Sequence, residues 1–197
     1  TDSFIYELSD GDNGTDQGML TITVEPVNDA PVMEDIVDQE ILEDETLTIL
    51  LSANDIDGDS LIFNAVSGDP ENLETQINSN QLTLIPSENW NGSVGISVSV
   101  TDGEYTDSDI FILVVIPTND PPDIILPEDF VFNEDDSLTV NFSGYVSDID
   151  EDGLTLSVSN MDNIEVTINE FAVSFYTQLN WYGTDTLVFT VNDNQGR

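Results

Sequence analysis

A period of about 91 residues runs through this chain and constrains its fold more than any other feature. VNDAPV at 27–32 returns as TNDPPD at 118–123, so Asp29 and Asp120 stand 91 positions apart (120 − 29). NWNG at 89–92 returns as NWYG at 180–183, which gives Trp90 and Trp181 the same spacing. LEDETLTI at 42–49 returns as NEDDSLTV at 133–140, and SANDIDGDSLIF at 52–63 returns as VSDIDEDGLTL at 146–156. A repeat of this size is one module of an array, and the working parts of an array lie where modules meet.

Alternation with a period of two marks strands in the complete repeat, 27–117. They fall near 33–41, then at 46–53, 61–66, near 73–77, and at 81–85, 94–100 and 109–116. The inward positions are Leu47, Ile49 and Leu51, then Leu82 and Leu84, then Val94, Ile96, Val98 and Val100, then Phe111, Leu113 and Val115. Seven short strands with regular turn signals describe an immunoglobulin-like β-sandwich. The fold expected is therefore all-β, as tandem sandwiches. In the next repeat Leu138, Val140 and Phe142, Val173 and Phe175, and Leu187, Phe189 and Val191 take the same roles.

The chain is out of phase with its modules. TDSFIYELSDGD at the start aligns with TDTLVFTVNDN at 184–194, so residues 1–26 read as the last two strands of a first repeat. Residues 118–197 read as a third repeat without its last strand. The terminal hairpin would expose Phe4, Tyr6, Leu8, Leu20, Ile22 and Val24, and an isolated two-stranded hairpin is marginal in water. Either the chain is a window on a longer array, or these strands complete the third repeat of another protomer.

Charge narrows the partners. There are 41 Asp plus Glu, one basic residue (Arg197) and no His, for a net charge of −40. Nucleic acid and anionic membrane surfaces are excluded by repulsion. With 39% apolar residues the chain can build cores, so its acidity does not imply disorder. No apolar run reaches the roughly 20 residues of a membrane span. There is no Cys, hence no disulfide or thiol chemistry. Without His, Cys or Lys, only a carboxylate pair could catalyse anything, and carboxylates that recur in both modules do not describe one unique cleft. The chain is not expected to be an enzyme.

Successive loops of a sandwich lie at opposite ends. One end of the complete repeat should gather Asn28, Asp29, Asp55, Asp57, Asp59 and Asp102, and the other Glu43, Asp44, Glu88, Asn119 and Asp120. The second group should meet Asp148, Asp150, Asp152 and Asp193 of the next repeat. Two like charges about 4 Å apart cost about 1 kcal/mol in water and about 4 kcal/mol near a protein surface. A hard cation that takes 6–8 oxygens at about 2.3–2.6 Å reverses that cost, and calcium suits the donors best. Zinc wants His or Cys, which are absent. DIDEDG at 148–153 also fits the first half of a helix–loop–helix calcium loop, but its twelfth position is Ser159 rather than Glu. Each acid taken alone reads as a solvated turn residue, and a scattered acidic surface would instead suit a salty medium.

The ordered set of an acidic loop, Asp-x-Asp, a later Asp and an Asn-Asp-x-Pro linker resembles cadherin repeats, and more closely the cadherin-like tandem repeats of large bacterial surface adhesins. The resemblance implies calcium between successive modules. Its ligands would fall on Glu43 and Glu134, on Asp55 with Asp57 and Asp148 with Asp150, on Asp10, Asp102 and Asp193, and on Asn28 with Asp29 and Asn119 with Asp120. The linker is shorter than the family's: Ala30 and Pro121 stand where its last Asn would be, and Leu179 stands where an acid precedes a strand. One or two ions per junction are expected rather than three. The function expected is a calcium-rigidified rod or fibre outside the cell, partnered by neighbouring repeats, identical protomers or a surface or matrix ligand. The alternative is a carbohydrate- or partner-binding module.

Overall fold

A computed structural model describes residues 1–195; Gly196 and Arg197, where the third predicted segment ends, lie outside the described residues. The chain forms two compact units: Thr1–Ile41, Glu45–Ser87 and Gly92–Val114 make the first, and Leu42–Asp44, Glu88–Asn91 and Val115–Arg197 the second. It is all-β apart from one short 3-10 turn among the described residues.

Eleven strands come first: β1 (Asp2–Ser9), β2 (Thr15–Ile22), β3 (Val32–Met33), β4 (Gln39–Leu42), β5 (Leu47–Leu50), β6 (Ala53–Asn54), β7 (Ile62–Ser67), β8 (Leu73–Asn78), β9 (Gln81–Pro86), β10 (Gly92–Thr101) and β11 (Thr106–Ile116). Strands β1 and β2 pair with each other, with Phe4 opposite Leu20. Beyond this hairpin, one sheet runs β4-β11-β10-β7, a second runs β5-β9-β8, and β3 pairs β6. The expected inward residues do face in: Leu51, Leu82, Leu84, Ile96, Val98, Val100, Phe111 and Leu113 are at most 2% exposed. Burying each stabilises the fold by roughly 1.5–3 kcal/mol. Alternation achieves this in β10, where Ser97 and Ser99 separate Ile96, Val98 and Val100.

Two expected strands are each divided. The run 33–41 becomes β3 and β4, which join different sheets, and 46–53 becomes β5 and β6. The chain between β3 and β4 cannot follow both sheets at once. Aspartates take over its backbone partners: Met33 N–H donates to Asp107 and Ile36 N–H to Asp109, while Asp38 accepts from Ile112 N–H.

The later strands are β12 (Asp123–Ile124), β13 (Ser137–Asn141), β14 (Val146–Ser147), β15 (Thr155–Ser159), β16 (Ile164–Asn169), β17 (Ala172–Thr177) and β18 (Val188–Asn192), with the 3-10 turn at Phe142–Gly144. Sheets run β13-β17-β16, β15-β18 and β12-β14. Phe142 leaves the strand expected for it and opens the turn, yet stays fully buried. It anchors an aromatic core, with its ring centroid 4.9 Å from Phe189 and 5.6 Å from Phe130. Phe142, Val173 and Phe175 are buried there; Leu138, Val140, Leu187 and Phe189 are partly so.

Candidate metal centre

Two loops of the same make stand at equivalent places in the repeats. In the first, Asp55 Oδ1 accepts the N–H groups of Asp57, Gly58 and Asp59 at 2.9, 3.0 and 3.3 Å. This tight turn puts Gly58 at φ +79°, which a residue with no Cβ adopts freely. In the second, Asp148 Oδ1 accepts from Asp150 and Asp152 at 3.0 and 3.3 Å, and Glu151 takes the left-handed position at φ 61°. Each lead aspartate thus gives one oxygen to its own turn. The other, Oδ2, is buried in both cases with no hydrogen-bond partner among the described residues. Carboxylate oxygens of Asp55, Asp57 and Asp59 lie within 4.8 Å of one another, as do those of Asp148, Asp150 and Asp152.

The linkers are tied to these loops in matching ways. Asp29 N–H donates to Asp57 Oδ2 at 2.8 Å, and Asp120 N–H to Asp150 Oδ2 at 2.7 Å. Asn28 Nδ2 donates to Asp102 Oδ2 at 3.0 Å, and Asn119 Nδ2 to Asp193 Oδ2 at 2.8 Å. The Tyr105 and Glu104 N–H groups, with the Asn28 amide, hold the Asp102 carboxyl below its ordinary pKa. The Asn119 amide and the Gln195 N–H do the same for Asp193.

The second unit adds a further group. Oxygens of Glu43, Asp120 and Asp150 lie within 4.8 Å of one another. Glu43 is only 3% exposed; it accepts from the Thr118 N–H at 2.5 Å and from Asn91 Nδ2 at 3.2 Å. Asp120 Oδ2 is buried and has no partner among the described residues. Its pKa is pushed up, first by desolvation and then by the charges of Asp150, Asp44, Glu43 and Asp148. Glu43 belongs to the earlier repeat, while Asp120, Asp148 and Asp150 belong to the later one. Three clusters of oxygen donors, with orphaned carboxylate oxygens among them, make an acceptor set suited to a metal ion.

Some expected ligands stand apart. Asp10 spends its carboxylate on the Asp12 and Gly14 N–H groups of its own loop, which lower its pKa. Glu134 and Glu88 are exposed and join no such cluster among the described residues. Other acids do structural work the sequence reading did not foresee. Asp44 Oδ1 accepts from Asn89 N–H at 2.8 Å, and Asp135 Oδ1 accepts from Asn180 N–H at 2.6 Å. All four of these residues have positive φ, between 54° and 63°. The 91-residue spacing of both pairs was the available signal. Asp185 accepts from the Asn163 and Ile164 N–H groups, which lower its pKa. The Trp181 ring packs so closely on Gly183 that a Cβ there would lie 3.0 Å from it.

Paired immunoglobulin-like sandwiches with acidic end loops define a tandem cadherin-like repeat. The family model described as bacterial Ig domain matches twice, at 28–113 and 119–197, and the chain belongs to that family. Among solved structures, a protocadherin gamma B3 fragment of domains EC1–4 is 13% identical, with TM-score 0.50, covering 91% of this chain and 50% of that one. Human protocadherin-24 EC1–2 is also 13% identical, with TM-score 0.41, covering 84% and 93%. An endo-fucoidan hydrolase of glycoside hydrolase family 107 is 18% identical, with TM-score 0.37, covering 99% of this chain. This chain spans only 32% of that hydrolase's length, and the likenesses concern the fold alone. No curated protein matches the chain.

Proposed function

We propose that this chain is a segment of an extracellular, calcium-rigidified repeat protein that serves as an extended stalk or fibre. The observation that carries the reading is the pair of buried, unpartnered oxygens, Asp120 Oδ2 and Asp148 Oδ2, on aspartates that group with Glu43 and Asp150 and with Asp150 and Asp152 respectively. Leaving them bare beside other carboxylates is costly, and an all-oxygen donor set with no His or Cys suits calcium. Asp55, Asp57 and Asp59 form a second, smaller set. Glu43, Asp120, Asp148 and Asp150 would hold the ion, and Asp193 with Asn119 would fix the linker beside it. Since the ion binds the ordered arrangement and not the loose one, it stabilises order by linkage. Extracellular calcium modules bind at about 10⁻⁴–10⁻³ M, so such sites fill outside cells and empty within them. Bacterial Ig domains typically work in that setting, and no helix among the described residues is long and apolar enough to cross a membrane. The partners in this reading are neighbouring repeats, with a surface or matrix ligand at the far end of the array.

Calorimetric titration with calcium tests the proposal, alongside small-angle scattering with and without chelator. Uptake with a narrower spread of particle lengths is expected, and Asp148→Asn with Asp150→Asn should abolish the strongest uptake. Undiminished uptake by that variant, or an unchanged scattering profile in chelator, defeats the reading.

A further inference from the structure

The outward face of the β4-β11-β10-β7 sheet is apolar and nearly free of charge, on a chain whose net charge is −40. The alternation that buries Phe111 and Leu113 turns Ile110, Ile112 and Val114 of β11 outward, with Ile110 68% and Ile112 38% exposed. They form a ridge. Beside it, the middle of β10 turns out only the small residues Gly95, Ser97 and Ser99, which form a trough. A Cβ added at Gly95 would lie 3.8 Å from Ile112 Cδ1, so the Ile112 side chain reaches that strand. Beyond β10, Ile62 and Val66 of β7 make the far wall, and Val66 stands opposite Ser97.

Acids are kept off this face. Asp107 and Asp109 of β11 point the other way, where they accept the Met33 and Ile36 N–H groups. Among the outward residues of the four strands, only Glu40 on the border strand β4 is charged. The β5-β9-β8 sheet differs, since its β8 shows Glu74 and Gln76 to solvent. The equivalent pair in the second unit, β15 with β18, turns out Thr155, Ser157, Ser159, Val188, Thr190 and Asn192, again without a charge.

We infer that this outward face of the complete repeat docks on the same face of a second copy of this chain. Charge and shape select that occupant. An acidic partner is repelled by the rest of the molecule, and a basic one is drawn to its acidic loops, so a neutral face suits another neutral face. The face is also self-complementary. A two-fold axis running along the strands, between β10 and β11, sets the ridge of each copy into the trough of the other. An axis across the strands would set ridge against ridge. The two copies should therefore lie side by side with their strands pointing the same way. Three strands about 4.8 Å apart, rising about 3.3 Å per residue, bury roughly 400–500 Å² a side. The total of about 800–1,000 Å² falls short of the roughly 1,200–2,000 Å² of a stable complex, so a single contact is weak. It gains strength when several modules engage together. The inference rests on the sheet face and not on the calcium reading.

The test uses the full chain at concentrations up to its solubility, in chelator and in high salt to screen the like charges of the two copies. Ultracentrifugation should show mass rising with concentration toward twice the monomer. Ile110→Asp and Val66→Asp, both at exposed positions, should each weaken association by about tenfold or more without lowering the melting temperature. The chain has no cysteine, so single-cysteine variants report the contact cleanly. A short bismaleimide should bridge copies carrying Ser97→Cys to copies carrying Ile110→Cys at least tenfold faster than to copies carrying Gln76→Cys. A chain monomeric at every concentration overturns the inference, as does association unchanged by both substitutions or bridging no faster than in the Gln76→Cys control. A chain that stays monomeric while dextran shifts its Ser97 and Ile110 amide resonances assigns the face to a neutral glycan and refutes the second-copy occupant.

Discussion

Asp120 is placed to respond in opposite ways with and without a cation. Desolvation and four neighbouring acids raise its pKa. The folded state therefore holds its proton more tightly than the unfolded chain does. The stability this confers is present below the unfolded pKa and is lost as pH rises through the folded one. In chelator, Asp120→Asn should melt at a higher temperature than the parent at neutral pH, and the gap should close as pH falls below the carboxylate range. In saturating calcium the order should reverse, because the variant has lost an anionic ligand. Thermal melts across pH, with and without calcium, decide this. Asp102 and Asp193 carry the opposite sign: their lowered pKa values confer stability above the unfolded pKa that disappears as pH falls through the folded one. The lead aspartates of both loops could be read from sequence because Asp-x-Asp recurs with its linker. That one oxygen of each is consumed by its own turn could not, since spacing does not say which lone pair a backbone N–H reaches.

Among elements, the paired contacts Asp44–Asn89 and Asp135–Asn180 fasten the loop before the central strands of each repeat. Both partners sit in left-handed backbone, which Asp and Asn tolerate better than most residues. Asp135→Ala loses the bond and the conformational fit together. It should destabilise the second unit by about 1–2 kcal/mol, read as a lower melting temperature with the first unit unmoved. Strand positions were mostly legible because alternation writes them plainly; β9 and β10 lie within two residues of their expected ends. The divided strands were not. A run of strand-like residues does not reveal that its two halves pair in different sheets, nor that Asp38, Asp107 and Asp109 substitute for backbone partners between them.

At the scale of the whole molecule, the two cores differ in depth. Nine apolar residues of the first unit are at most 2% exposed, counting Leu51, Leu73, Leu82, Leu84, Ile96, Val98, Val100, Phe111 and Leu113, whereas the second unit centres on Phe142, Val173 and Phe175. Calorimetry in chelator should resolve two transitions, the lower from the second unit. Phe142→Ala should cost that unit about 3–5 kcal/mol and leave the upper transition in place. Leu82→Ala should cost the first unit about 2–5 kcal/mol. Calcium should raise the lower transition more, because Glu43, Asp120, Asp148 and Asp150 all lie in the second unit. A single transition shifted equally by both substitutions would contradict this picture.

The amide cradle around Asp55 and Asp148 has a kinetic consequence. Because each turn shapes itself with its own N–H groups, an ion bound as proposed would find the loops already formed and would have only the linkers to order. Capture should then run near the speed of diffusion, and release should set the affinity. Under the proposed reading, an array of such modules would stiffen or slacken as fast as the calcium around it changed, with no module having to refold.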